Sequence, residues 1–273
     1  MKKNKNILLF ICFLSISFFW GCVSKTVKTK NFEYANKFYL TDDSTKGALN
    51  LIINVEIPVN FSNKTVLDSV RNKILLFLFG ENYVNMPLDS VIPAFVREQS
   101  SDYRNNNLFM LNTLNLQNYF AFNNDHILEG FSLWSDENIF SYGIKRYVFM
   151  GGAHGLSTQT FLNFDLKTGK TLTEKDLFIP DYKEKLTTLI RERLIEENDE
   201  ISEYRDLNQT DYWVDSIQPN GNFYISDEGI NYLFNPYEIG PYYLGETEVR
   251  IPYARLKDIL KNGNPLEYLY ENR

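Results

Sequence analysis

Leu49-Asn-Leu-Ile-Ile-Asn-Val-Glu-Ile-Pro-Val59 is the stretch from which the fold can be read outward. Its apolar side chains at 49, 51, 53, 55, 57 and 59 alternate with a second set that includes Asn50, Asn54 and Glu56. A period of two over this length predicts a strand with one buried face. Pro58 has no amide proton to give a ladder, so it belongs at the strand's end or on an edge. On the N-terminal side, residues 31–40 are rich in Phe and Tyr and read as a partner strand. On the C-terminal side, Val66, Val70, Ile74, Leu75 and Leu78 recur at helical spacing, with Gly80 as the stop. A second helix is expected from about Pro87 to Tyr103, followed by a polar loop at 105–107.

From Leu108 the pattern turns aromatic and β-like, with runs at 118–122, 131–134 and 139–150 parted by the polar turns 123–125 and 135–138. Residues 158–166 form another strand, turned by Lys167-Thr-Gly-Lys170. After Asp181, a helix carries Leu186, Leu189, Ile190 and Leu194 on one face. Strands at 223–226 and 230–234 flank an Asp227-Glu-Gly229 turn, and a strand at 246–252 leads into a last helix at 253–261. Strands come in clusters with helices between the clusters. This points to an α+β fold, antiparallel sheets with helices packed on them, in two subdomains that meet near 124–138. One continuous body is the alternative.

The chain has 273 residues, 44% apolar and 15% aromatic, which excludes disorder. A formal charge of −7 argues against nucleic acid as a partner. Lys2, Lys3 and Lys5 precede a short apolar run from Ile7 to Trp20, and Gly21-Cys22 follows. These are the parts of a secretory signal. The Gly21-Cys22 junction resembles a bacterial lipobox, which implies cleavage after 21, lipid on Cys22 and export to the envelope as a membrane-anchored lipoprotein. Residues 22–30 would be the tether. Loss of the three lysines would take the charge from −7 to −10. Lipidated Cys22 would leave the mature chain without a thiol or disulfide.

Two local sequences stand out. Gly151-Gly-Ala-His-Gly155 sits between two strands, where Gly152 and its neighbours permit close backbone approach. His154 could be a base, a ligand or a hydrogen-bonding strut there. The other histidine, His126, lies in a polar run and reads as solvated. The second is the run 233–245, with two prolines, Tyr237, Glu238, Tyr242 and Tyr243. Tyrosines give amphipathic contact area at low entropy cost, so this loop suits recognition or covers a sheet edge. No nucleophile elbow, P-loop, dinucleotide fingerprint or zincin motif occurs. Neither a metal nor a cofactor is expected.

At these features the sequence resembles the extracytoplasmic domain family of the lysozyme-sensing anti-sigma factor RsiV. The resemblance rests on Gly151–Gly155, on Asp165-Leu-Lys-Thr-Gly169 with Leu172 and Asp176-Leu-Phe178, and on Phe234-Asn-Pro-Tyr-Glu-Ile-Gly-Pro-Tyr242 with Gly245, Val249 and Ile251-Pro-Tyr253. Residues 31–135 look like the α+β module preceding that domain in PdaC-type peptidoglycan deacetylases. The expected organisation is thus 1–21 signal, 22–30 tether, 31–135 N-terminal module, 136–265 RsiV-like domain and 266–273 tail. The resemblance implies an envelope domain without catalysis of its own, and lysozyme as a ligand of the anti-sigma member. With only Met1 to Asn6 before the apolar run, no segment to hold a sigma factor is expected.

Three readings follow. The first is a non-catalytic binding lipoprotein for a lysozyme-type cationic protein or peptidoglycan, using Tyr237, Glu238, Tyr242, Tyr243, Gly152 and His154. The second is an envelope polysaccharide enzyme with His154 as its catalytic group. The third is an architectural lipoprotein. A cleft with a carboxylate at His154 would favour the enzyme, and an exposed aromatic patch with an acidic rim would favour binding.

Overall fold

A computed structural model describes residues 26–113, 119–197 and 206–271. The signal, Cys22 and tether residues 23–25 lie outside the described residues. Strands β1 (Lys28–Tyr39) and β2 (Ala48–Asn60) pair antiparallel over their whole length. The alternation at 49–57 works as read: Leu49, Leu51, Ile53, Val55 and Ile57 are buried. Helix α1 (Lys64–Phe79) starts at Asn63, whose side chain accepts the amides of Thr65 and Val66. Such a cap satisfies donors that the first turn leaves open. Val66, Val70, Ile74, Leu75 and Leu78 form its buried face.

Helix α2 (Leu88–Thr113) runs well past Tyr103, so the polar loop expected at 105–107 is helical. Tyr103 and Asn107, one turn apart, face inward. The Tyr103 hydroxyl donates to Phe122 O at 2.8 Å, and Asn107 Nδ2 donates to Tyr103 O at 2.7 Å. Asn105 and Asn106 are merely its solvated side. The strand expected at 118–122 is likewise absent where described: Phe120–Phe122 is a 3-10 turn. Residues 124 and 125, read as part of a turn, begin β3 (Asn124–Ser135).

Strands β3, β4 (Ile139–Met150), β5 (Leu156–Asp165) and β6 (Lys170–Leu172) follow as an antiparallel meander, giving the order β1-β2-β3-β4-β5-β6. The exception to antiparallel pairing is β2 with β3, which run parallel. Parallel neighbours need a crossover, and α1 and α2 supply it while covering one face of the sheet. The second sheet, β7 (Phe223–Ile225), β8 (Gly229–Phe234) and β9 (Thr247–Pro252), is antiparallel throughout. With it go α3 (Glu174–Leu177), α4 (Tyr182–Glu197), α5 (Tyr253–Leu256) and α6 (Glu267–Tyr270). The closing helix expected over 253–261 is only the one-turn α5. Leu186, Ile190 and Leu194 of α4 are buried in this second core. Each is worth about 1.5–3 kcal/mol relative to exposure.

The division expected at 135/136 falls in the β3–β4 hairpin, whose strands pair from Asn124↔Met150 to Ser135↔Phe140. The first core takes in residues 40–166, including Phe140, Tyr142 and Ile144 from β4. The second takes Ile139 and then residues from 172 onward. Both cores therefore use the same six-stranded sheet.

Candidate binding surface

The loop 151–155 joins β4 to β5 at the sheet end where β1 finishes, since Tyr39 pairs Ala48, Leu49 pairs Asn124 and Asn124 pairs Met150. Two of its glycines are dictated by contact. Gly151 has φ +74°, and a Cβ there would lie 2.1 Å from Ala121 O. Gly155 packs against Tyr147, whose ring would meet a Cβ at 2.4 Å. Gly152 is different: it is exposed and faces open space.

These contacts hold His154 outward, over the loop that follows β8. Its ring stacks on Tyr242, with centroids 4.1 Å apart and planes at 25°. Tyr237, at φ +72°, adds a third ring 5.6 Å from Tyr242. The loops are tied at one carbonyl: the Tyr242 hydroxyl donates to Gly155 O at 2.9 Å, and His154 Nδ1 lies 3.0 Å from the same atom. No carboxylate bonds His154 among the described residues, so the pair needed for a base is not assembled there.

Tyr243 is 67% exposed, and its hydroxyl bonds Asp211, which raises its pKa from the ordinary value. Trp213, 47% exposed, belongs to the same surface because its amide donates to Ile239 O at 2.8 Å. Glu238 is exposed, and its carboxylate closes its own loop by accepting Asn235 N and Asn220 Nδ2, both at 3.0 Å. It holds the turn that presents Tyr237. His154, Tyr237 and Tyr242 are thus brought together, Tyr243 lies alongside, and Gly152 makes no contact with them.

The sequence reading missed a polar cluster on the neighbouring strands. Glu246, at the start of the approach to β9, accepts Ser157 Oγ at 3.0 Å, bonds Gln159 Nε2 and pairs with Lys145 at 3.4 Å. It also missed the asparagines that close the edge of β5. Beyond the reach of β6, Gln159 N and O are bonded by Asn235 Oδ1 and Nδ2, at 2.6 and 3.0 Å. Phe161 N donates to Asn222 Oδ1 at 3.0 Å. An amide side chain carries the same donor and acceptor as a peptide unit, so these residues finish a ladder that no strand completes.

The other histidine overturns its reading. His126 is not solvated: it packs under α2, its Nδ1 lies 3.3 Å from Gln99 Oε1, and its Nε2 is buried without a partner among the described residues. Burial lowers its pKa from the ordinary value, with Asp125 pulling weakly the other way. No group of three or more potential metal ligands occurs among the described residues.

Residues 175–254 match the model of a protein of unknown function, DUF3298. The fold is similar to a DUF3298 family member from Bacteroides fragilis, at 27% identity and TM-score 0.82 over 90% of this chain and 98% of that one. A DUF3298 family protein from Pseudomonas aeruginosa shares the fold at 19% identity and TM-score 0.61, over 88% and 96% of the chains. Peptidoglycan-N-acetylmuramic acid deacetylase PdaC of Bacillus subtilis is 29% identical over 119 residues. That is 43% of this chain but only 25% of PdaC. Residues 175–254 are thus similar to the DUF3298 domain, and the described fold is similar to that of two solved DUF3298 family proteins.

Proposed function

We propose that this DUF3298-type chain is a non-catalytic binding lipoprotein of the bacterial cell envelope, anchored through lipid on Cys22. The observation behind the binding role is the stack of exposed His154 and Tyr237 on half-buried Tyr242, flanked by Tyr243 and Trp213 and rimmed by Asp211 and Glu238. Aromatic rings with low rotamer freedom and a charged rim are the usual anatomy of a recognition patch. In the RsiV-like reading the ligand is a cationic, lysozyme-type protein, whose approach an acidic molecule would accelerate at low salt. Peptidoglycan is the second candidate, favoured by the similarity to an enzyme named for that polymer.

The strand register suits this role. Lys28, where the tether joins β1, pairs Asn60 at one sheet end, while the His154 loop follows Met150 at the other. At about 3.4 Å per residue the twelve residues of β1 separate them by roughly 37 Å. A lipid-held chain would then present its aromatic patch away from the membrane.

The test is binding of the protein to a cationic lysozyme and to insoluble peptidoglycan across a salt series, with Tyr237→Ala and Tyr242→Ala alongside. Saturable binding lost in both variants, with circular dichroism unchanged, is the expected result. Binding that fades by moderate salt and ignores the tyrosines would reduce the reading to charge attraction. Absence of binding to either ligand would overturn it.

A further inference from the structure

On the face of the sheet that α1 and α2 cover, a cavity of about 170 Å³ opens between the helices and strands β2, β3 and β4. Leu51, Leu78, Phe95, Leu128 and Val148 give it apolar walls. Three polar side chains also line it: Gln99 from α2, His126 from β3 and Arg146 from β4. The register explains their convergence, because His126 lies opposite Val148, and Arg146 lies opposite Leu128 two positions along the same face.

Each polar group has bonding capacity to spare. His126 Nε2 is buried with no hydrogen-bond partner among the described residues. Arg146 gives one terminal nitrogen to the carbonyls of Phe77 and Leu78 at the end of α1, the latter at 3.0 Å. No carboxylate among the described residues pairs with it. A partly buried guanidinium is ordinarily matched by an anion, because leaving the charge without one in a low-dielectric site is costly. The end of α1 offsets part of that charge, but a fork of further donors remains.

An apolar cavity with a few converging polar groups is the ordinary form of a small-molecule site. Its size fixes the scale, since a cavity of about 150 Å³ accepts a benzene ring. Phosphate or sulfate would set its charge against five apolar walls. A neutral hydrocarbon would leave Arg146 and His126 unanswered. We propose that this cavity binds a small monocarboxylate with an aromatic or branched apolar body, its carboxylate held between Arg146 and the His126–Gln99 pair. The site is independent of the aromatic surface at His154.

The experiment is a titration of the full chain with benzoate, followed by NMR of the ring resonances of its two histidines, assigned with His154→Gln. Benzoate is expected to shift the His126 signals saturably, and benzamide, the uncharged isostere, to bind at least tenfold more weakly. Val148→Phe, which fills the cavity, is expected to weaken benzoate by tenfold or more. Three results would overturn the site: no saturable shift at His126, equal binding of benzamide, or full benzoate affinity in a folded Val148→Phe protein. The comparison of benzoate with benzamide on the unaltered chain stands even where that substitution fails to fold.

Discussion

The two faces of the six-stranded sheet are built on different principles. Toward α1 and α2, the side chains of Leu49, Leu51, Ile53 and Val55 continue across the strands into Leu128, Tyr142, Ile144, Leu162 and Phe164. That face is held by burial of apolar area. Toward the second sheet, Ser141 and Asn163 meet strand β7 through hydrogen bonds. Asn163 Oδ1 accepts Ser141 Oγ and Ile225 N at 2.8 and 2.9 Å, while its Nδ2 donates to Phe223 O at 2.7 Å. Asn222 and Asn235 continue the seam along β5. Volume decides most positions on the first face, whereas the second depends on particular donors and acceptors. The histidines follow the same division, with His126 under the helices and His154 out on the aromatic loop.

The sharpest way to break this contrast is Asn163→Ala. It would leave Ile225 N and Phe223 O each short of a partner and cut the Ser141 hydroxyl back to its bond with Ile225 O. At about 1–3 kcal/mol per stranded group, the loss is expected to reach roughly 3–5 kcal/mol in denaturant unfolding. A cost near that of an exposed substitution would mean that the two sheets are joined by apolar contact after all. Gly151→Ala comes next. It forces a left-handed φ on alanine and drives its Cβ into Ala121, so at least about 2 kcal/mol should be lost.

Tyr242→Ala removes the middle ring of the stack and the bond to Gly155 O. About a tenfold loss of ligand affinity, or ~1.4 kcal/mol, is expected by titration calorimetry. An unchanged affinity would move recognition away from this loop. His126 supplies a pH test of the helix-covered face. Because burial depresses its folded pKa, the unfolded chain takes up a proton first as the medium is acidified. Stability should therefore decline as pH falls below about 6.5 and continue to decline until the folded pKa is passed. Thermal melts between pH 8 and 5 would read this, and His126→Gln should flatten the slope. The smallest effect belongs to Gly152→Ala, expected within about 0.5 kcal/mol of the parent because a Cβ there meets nothing. A large loss would show that the loop packs against something other than Tyr147 and Ala121.

How far the sequence could be read depended on which force holds each element. Apolar periodicity located β2, α1 and α4, because burial repeats with the element, while aromatic runs and turn residues marked β1, β4, β5 and the second sheet. It failed along α2, where Asp102 to Asn107 are polar in composition and only Tyr103 and Asn107 touch the core. It also missed the parallel pairing of β2 with β3, since alternation does not say which neighbour a strand will take. At the surface, the glycines around His154 and the tyrosines after Phe234 were legible as unusual local sequence. Glu246, Trp213 and the bridging asparagines were not, because nothing local distinguishes them from other polar residues.

By itself the sequence determined the buried faces of β2, α1 and α4, the α+β class, and the two loops whose glycine and tyrosine content sets them apart. Tertiary structure alone decided that His154 and Tyr242 stack, that asparagine amides complete the edge of β5, and that His126 rather than His154 faces a cavity. Periodicity is a property of neighbours along the chain, whereas stacking, edge completion and cavities arise between segments far apart in it. A histidine in a polar run becomes buried only when a helix from elsewhere is laid across it.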